Sequence, residues 1–280
     1  MSFTNNDMLK KLEKLLPESI NNQSVPKDIL GIIDEYIPTL NDKNIHQVVK
    51  DYLSLGNLKQ QIINTYGSIR DWNVSQVTNM KSLFAHCKNF DEDISSWNVS
   101  NVKNMKAMFS YATSFNQDIS GWDVSNVKNM LGMFSAAELF NQPLNNWNVS
   151  NVEDMTGMFN YAKDFNQPLN KWNISNVEYM NYMFSDAHKF DQPLNEWDVS
   201  NVKDMKWMFS GATSFNQPLN NWNVSNVTNM HGMFMQATSF NKNINNWDVS
   251  NVIDMSYMFY KAKCFNIQEN APWYIEDEIR

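Results

Sequence analysis

The chain has only two cysteines, eight glycines and eight prolines in 280 residues. Two cysteines do not make a disulfide framework. Eight scattered glycines leave little room for a phosphate-cradling loop. Basic residues are outnumbered, 22 Lys and Arg against 30 Asp and Glu, for a formal charge of −8. The deficit is local: residues 1–70 carry eight side chains of each sign, and the other 14 basic and 22 acidic ones fall on residues 71–280. An acidic surface repels phosphate backbones and anionic headgroups, which argues against nucleic acid and against a membrane as partner. No apolar run is long enough to span a bilayer, and the stretch Met1 to Lys10 has no apolar signal-type core. The expectation is a soluble cytoplasmic protein in a reducing compartment. The four histidines, His46, His86, His188 and His231, share no metal-ligand spacing with cysteine or carboxylate. No catalytic residue, metal or cofactor is expected.

What the chain has in abundance is a period. Trp72-Asn-Val-Ser-Gln-Val-Thr-Asn-Met80 returns 25 residues later as Trp97-Asn-Val-Ser-Asn-Val-Lys-Asn-Met105. It returns again from Trp122, Trp147, Trp172, Trp197, Trp222 and Trp247, eight copies without insertion or deletion. A fixed period of this size means a stacked array. Counting each tryptophan as position 1, apolar residues recur at positions 6, 9, 12, 13 and 16 (Val102, Met105, Met108, Phe109 and Ala112), and Phe115 stands at 19. The steps of three and four fit one face of a helix of about three turns. The serine at position 4 is a suitable N-cap, and Ser150 with Glu153 and Ser175 with Glu178 have capping-box spacing. Asn-Gln-Pro after position 19 is a turn signal, and Ile119 to Val124 reads as a short strand. The fold class expected from these residues is α/β: a solenoid of eight rungs, each a short parallel strand plus a helix. The tryptophans of position 1, the methionines of 9 and the phenylalanines of 13 and 19 should form four internal columns. Cys87 stands where the other copies have alanine and reads as a small core residue.

The domain reading is a helical N-terminal cap over residues 1–70, repeats over 71–271 and a C-terminal cap over 272–280. Helices are predicted over 5–16, 26–37, 43–55 and 58–66 from their apolar stripes and the Pro and Gly that bound them. At the far end, Trp273 and Tyr274 are placed to cover the last rung.

The unit Trp-Asn/Asp-Val-Ser-Asn-Val-x-Asn/Asp-Met-x-x-Met-Phe-x-x-Ala-x-x-Phe-Asn-Gln resembles the BspA-like repeat of bacterial and mycoplasma surface lipoproteins, grouped with leucine-rich repeats. Similar arrays are found in some protists and giant viruses. The likeness covers about residues 72–271, and Asn44 to Leu53 with Tyr66 to Trp72 is similar to the lead-in of such arrays. The resemblance implies a right-handed leucine-rich-repeat-like solenoid, an interaction role and no catalytic residues. Lacking a signal peptide and lipobox cysteine, the chain is expected in the cytoplasm, the host's if viral. Val25-Pro-Lys-Asp-Ile-Leu-Gly-Ile-Ile-Asp-Glu-Tyr-Ile37 also resembles the opening of an F-box, which would make residues 25–66 a ligase-docking segment; the other reading is an amphipathic cap helix with Pro26 in its first turn.

Two surface features are candidates for binding a protein. Position 2, flanked by inward residues, holds Asn98, Asp123, Asn148, Asn173, Asp198 and Asn223, so this column faces out. It reads either as a hydrogen-bonded ladder along the stack or as a polar binding face. The second feature is aromatic: Tyr179 at position 8, and Tyr182, Trp207 and Tyr257 at position 11. These read either as a contact patch or as covers for gaps between rungs. The expected function is non-catalytic protein–protein interaction. An F-box-type substrate adaptor of a ubiquitin ligase, and a structural component of a particle or larger assembly, stay open.

Overall fold

The computed structural model describes residues 38–275. The helices predicted over 5–16 and 26–37, and the F-box-like opening at 25–37, lie outside the described residues. The chain enters through an extended piece laid against the first repeat: Leu40 N–H donates to Asn73 O at 2.9 Å, and Asn41 bridges Gln76 in parallel. Helix α1 (Ile45–Tyr52) buries Ile45, Val48, Val49 and Tyr52, the stripe its sequence prescribes. Gly56, at φ 87°, breaks the chain before α2 (Asn57–Tyr66), and a 3-10 turn (Ile69–Asp71) delivers Trp72. The Tyr52 ring meets Trp72 edge-on at 5.2 Å, so α1 seals the first tryptophan. The Tyr52 hydroxyl donates to Glu92, and burial followed by that carboxylate pushes its pKa far up.

The strand-plus-helix rung is overturned. From Trp72 to Asn266 no residue is helical, and the repeats contain isolated parallel bridges in place of strands. Seven such bridges join position 8 of one rung to position 8 of the next, from Asn79↔Asn104 to Asn229↔Asp254. The described residues therefore form a stack of turns, not an α/β leucine-rich solenoid.

The physical reason lies in the backbone. Positions 11 and 15 of every rung are left-handed, with φ from 53° at Ala107 to 67° at Gly211. A single left-handed residue ends an α-helix. With helical bonding cancelled, amides at positions 12 and 16 fold back three residues, as Leu83 N–H does to Met80 O and Cys87 N–H to Phe84 O. Amides at positions 9, 11, 13 and 15 instead cross to the next rung. Met80, Ser82, Phe84 and His86 donate to the carbonyls of Asn104, Lys106, Met108 and Ser110 at 2.7–2.9 Å. The same four bonds recur at all seven interfaces between rungs, always with the N–H pointing toward the later rung. Successive three-residue turns bring apolar residues inward at intervals of three and four, which mimics helical spacing. The position-4 serine caps no helix, and Glu153 and Glu178 pair with Lys128 and Lys203 of neighbouring rungs.

A sign test follows. Ala107, at φ 53°, stands where Gly132, Gly157 and Gly232 serve in other rungs. Ala107→Gly should therefore raise stability by about 1 kcal/mol. In a helix the same change would cost about 1 kcal/mol. Urea unfolding of the two proteins decides between them.

Between the turns lies one continuous apolar core. The position-9 methionines from Met80 to Met230 are fully buried. Position-13 phenylalanines stack rung on rung at 5.5–5.8 Å between centroids. Each also lies flat on the position-19 ring of its own rung at 4.0–4.1 Å. Such contacts add to the area term for burying an aromatic. Every indole N–H from Trp97 to Trp247 donates to a carbonyl 28 residues upstream at 2.7–3.2 Å, which satisfies the one polar atom this column buries.

The exit replaces a ninth rung. Asn266 caps α3 (Ile267–Asn270), whose last carbonyl accepts from Ile244 N–H at 3.0 Å. Trp273 continues the tryptophan column by donating to Ile244 O at 3.2 Å. Tyr274 stands edge-on against Phe259 at 5.0 Å.

Candidate functional site

Identical side chains in register make polar ladders, and the structure shows which ones run along the stack. At position 5, Asn101 Nδ2 donates to Ser75 O at 2.8 Å, and each later rung repeats the bond to Asn251, which reaches Ser225 O. At position 20, the side chain of one rung accepts from the backbone N–H of the next, from Asp91–Asn116 to Asn241–Asn266. Position-21 glutamines reinforce it; Gln142 Nε2 reaches Asn116 O at 2.9 Å. The Asn-Gln-Pro stretch is thus a buttress as well as a turn. Sequence reasoning took only the turn from it, although an amide recurring every 25 residues was the available signal.

The position-2 column is exposed, yet each member acts within its own rung. Asn98, Asn148 and Asn223 accept from both the N–H and the hydroxyl of the serine two residues on. Asn173 accepts from Ser175 N–H at 3.1 Å. Asp123 and Asp198 do likewise, and the hydrogen bonds from Ser125 and Ser200 hold their carboxyls below the usual aspartate value. The column shapes the turn into positions 4–6, and its acceptors are engaged locally.

The aromatic side chains divide. Tyr182 and Trp207, both left-handed at φ 61° and 58°, stack nearly parallel at 6.3 Å. A Cβ at Gly232 would sit 3.1 Å from the Trp207 ring, so the indole lies over the bare backbone of the next rung. His231 tilts against Trp207 at 5.1 Å and meets Tyr257 edge-on at 5.7 Å. Its Nδ1 lies 2.7 Å from Ser256 Oγ and 3.3 Å from an oxygen of Asp254. The result is a continuous half-exposed row, Tyr182–Trp207–His231–Tyr257, across rungs five to eight. Tyr179, 44% exposed, makes no ring contact with this row among the described residues. Sequence reasoning found Tyr182, Trp207 and Tyr257; it missed His231 and Gly232, whose parts depend on where the indole leans.

A second aromatic set at position 15 escaped notice. His86 and Tyr111 stack at 4.9 Å, and Tyr161 bonds to Asp186, whose carboxylate pushes the phenol pKa up. Elsewhere, Pro218, Asn220, Lys242, Asn243, Asn245 and Asn246 line an open groove of about 470 Å³. Among the described residues no group of three His, Cys, Asp or Glu converges as a metal site requires. No helix among them is long and apolar enough to cross a membrane.

Comparison with known families gives one result. The family model described as "Mycoplasma protein of unknown function, DUF285" matches residues 54–172, 131–216 and 193–277, three overlapping stretches that run through all eight repeats. The match supports a repeat family of BspA-like kind and lends nothing to the F-box-type reading of residues 25–66. A comparison with curated proteins finds no match.

Proposed function

We infer, from the premise that this chain belongs to the DUF285 repeat family, that it is a non-catalytic scaffold binding another protein. The single observation behind this reading is the row Tyr182–Trp207–His231–Tyr257. Its rings are fixed before any partner arrives, by left-handed backbone, mutual stacking and the seat over Gly232. Prefixed aromatic rings give contact area at small entropic cost, and Tyr and Trp dominate binding hot spots. Tyr179 at the rim would widen the patch. We place this role in a reducing cytoplasm, where Cys87 and Cys264 remain free thiols.

The test is site-specific photo-crosslinking in the cells that express the protein. A photoreactive phenylalanine replaces Tyr182 in one version and Asn98 in another. Adducts with one partner at position 182, reduced at least tenfold by Trp207→Ala, are expected. Adducts at position 98 alone would move the binding face to the position-2 column. Absence of adducts at both would leave the aromatic row a structural cover.

A further inference from the structure

At each of the seven interfaces the amides of positions 9, 11, 13 and 15 find carbonyls on the following rung. Rung eight keeps the same backbone, with Tyr257 at φ 57° and Lys261 at φ 60°. Its amides at Met255, Tyr257, Phe259 and Lys261 therefore point past the end of the stack, and among the described residues they have no acceptor. A row of unpaired donors in fixed register is a template for another chain.

The apolar side of this edge is open as well. Val249, Val252 and Met255 are half-buried, whereas Val224, Val227 and Met230 one rung earlier are at most 1% exposed. Among the described residues, Trp273 and Tyr274 cover the edge beside Ile244 and Phe259. Position 7, which is Thr, Lys or Glu in the other seven rungs, becomes Ile253, 87% exposed. An apolar residue has thus replaced a polar one at the one rung whose neighbour is missing.

We propose that the edge of rung eight binds an extended polypeptide segment from another chain as a further rung, a segment carrying the repeat's own pattern over positions 4–16. Such a segment offers carbonyls at positions 8, 10, 12 and 14 for the four donors, and apolar side chains at 6 and 9 for Val252 and Met255. The first rung of a second intact copy does not fit, because α1 lies over it and His46 Nε2 is 2.9 Å from the Lys81 carbonyl. Two eighth rungs facing each other oppose donor to donor. This edge shares Tyr257 with the aromatic row, by its amide and not by its ring, and the two readings are tested by different measurements, so either can fail without the other.

The probe is a synthetic peptide with the sequence of residues 225–237, added to the full chain, and the readout is amide hydrogen exchange. Without peptide, Met255, Tyr257, Phe259 and Lys261 should exchange much faster than Met230, Gly232, Phe234 and Gln236. Saturating peptide should slow the four at least tenfold, a scrambled peptide should not, and Ile253→Lys should weaken the effect severalfold while leaving the fold intact. Four amides already protected in the free chain would overturn the proposal, since the chain's own ends would then fill the edge. Equal protection by the scrambled peptide, or none by either, would overturn it too.

Discussion

Trp172→Ala should lower stability by about 3–5 kcal/mol, the range for truncating a buried aromatic that leaves a cavity. Trp172 is 4% exposed, stacks on Trp197 at 6.4 Å and touches Phe159 at 6.3 Å. Its Nε1 donates to Leu144 O at 2.9 Å, and the substitution removes that bond, leaving the carbonyl with the Trp147 N–H alone. The rung lies mid-stack, and in such an array each unit is coupled mainly to its two neighbours. Weakening one central interface should therefore split a single melting transition into two. Calorimetry of the full chain checks both statements. An unchanged single transition would show that the tryptophans do not carry the coupling.

Gly211→Val should cost about 2–5 kcal/mol through two separate effects. The residue sits at φ 67°, where a β-branched side chain is strained. Its Cβ would also clash with an Asp186 carboxylate oxygen. Five of the other seven rungs hold His, Tyr, Ala or Gln in this same left-handed position, so the backbone angle by itself is tolerated. The distinctive element is the carboxylate overhead, turned toward Tyr161 and His188. Asp186→Ala should then relieve part of the penalty. A urea-denaturation double-mutant cycle measures the coupling, and purely additive effects would assign the whole cost to the backbone.

The period and the four columns were legible because identical apolar side chains at a fixed spacing can bury one another only by stacking. The path between the columns was not. Apolar steps of three and four fit a helix and a run of three-residue turns equally well, and what separates them is the direction of alternate amides. That direction is set at positions 11 and 15, where Ser82, His86, Tyr111 and Lys261 adopt an angle more readily signalled by glycine. Glycines 132, 157 and 232 at position 11 and Gly211 at position 15 were the local trace. The position-2 column does face out, but the sequence reading weighed only a ladder and a binding face, and the local bond to the serine two residues on was not among them. Of the aromatic row, the members sharing position 11 could be collected from the repeat alignment. His231 joins from position 10 because the Trp207 indole leans toward it.

The one-way crossing of the amides gives the stack an electrical sense. In four places per rung a peptide group points along the axis, carbonyl toward rung one and N–H toward rung eight, each with a dipole of about 3.5 D. Chains of these groups run in series through all eight rungs, as they would in helices laid side by side. Two further crossings, exemplified by Lys103 to Thr78 and Ser114 to Lys88, run the other way and cancel part of the sum. What remains makes the array a poled rod, whose moment grows with every rung added even where net charge does not. Such a rod aligns in an applied field and presents opposite faces to the charges it meets, so its two ends are not interchangeable even apart from the caps that cover them.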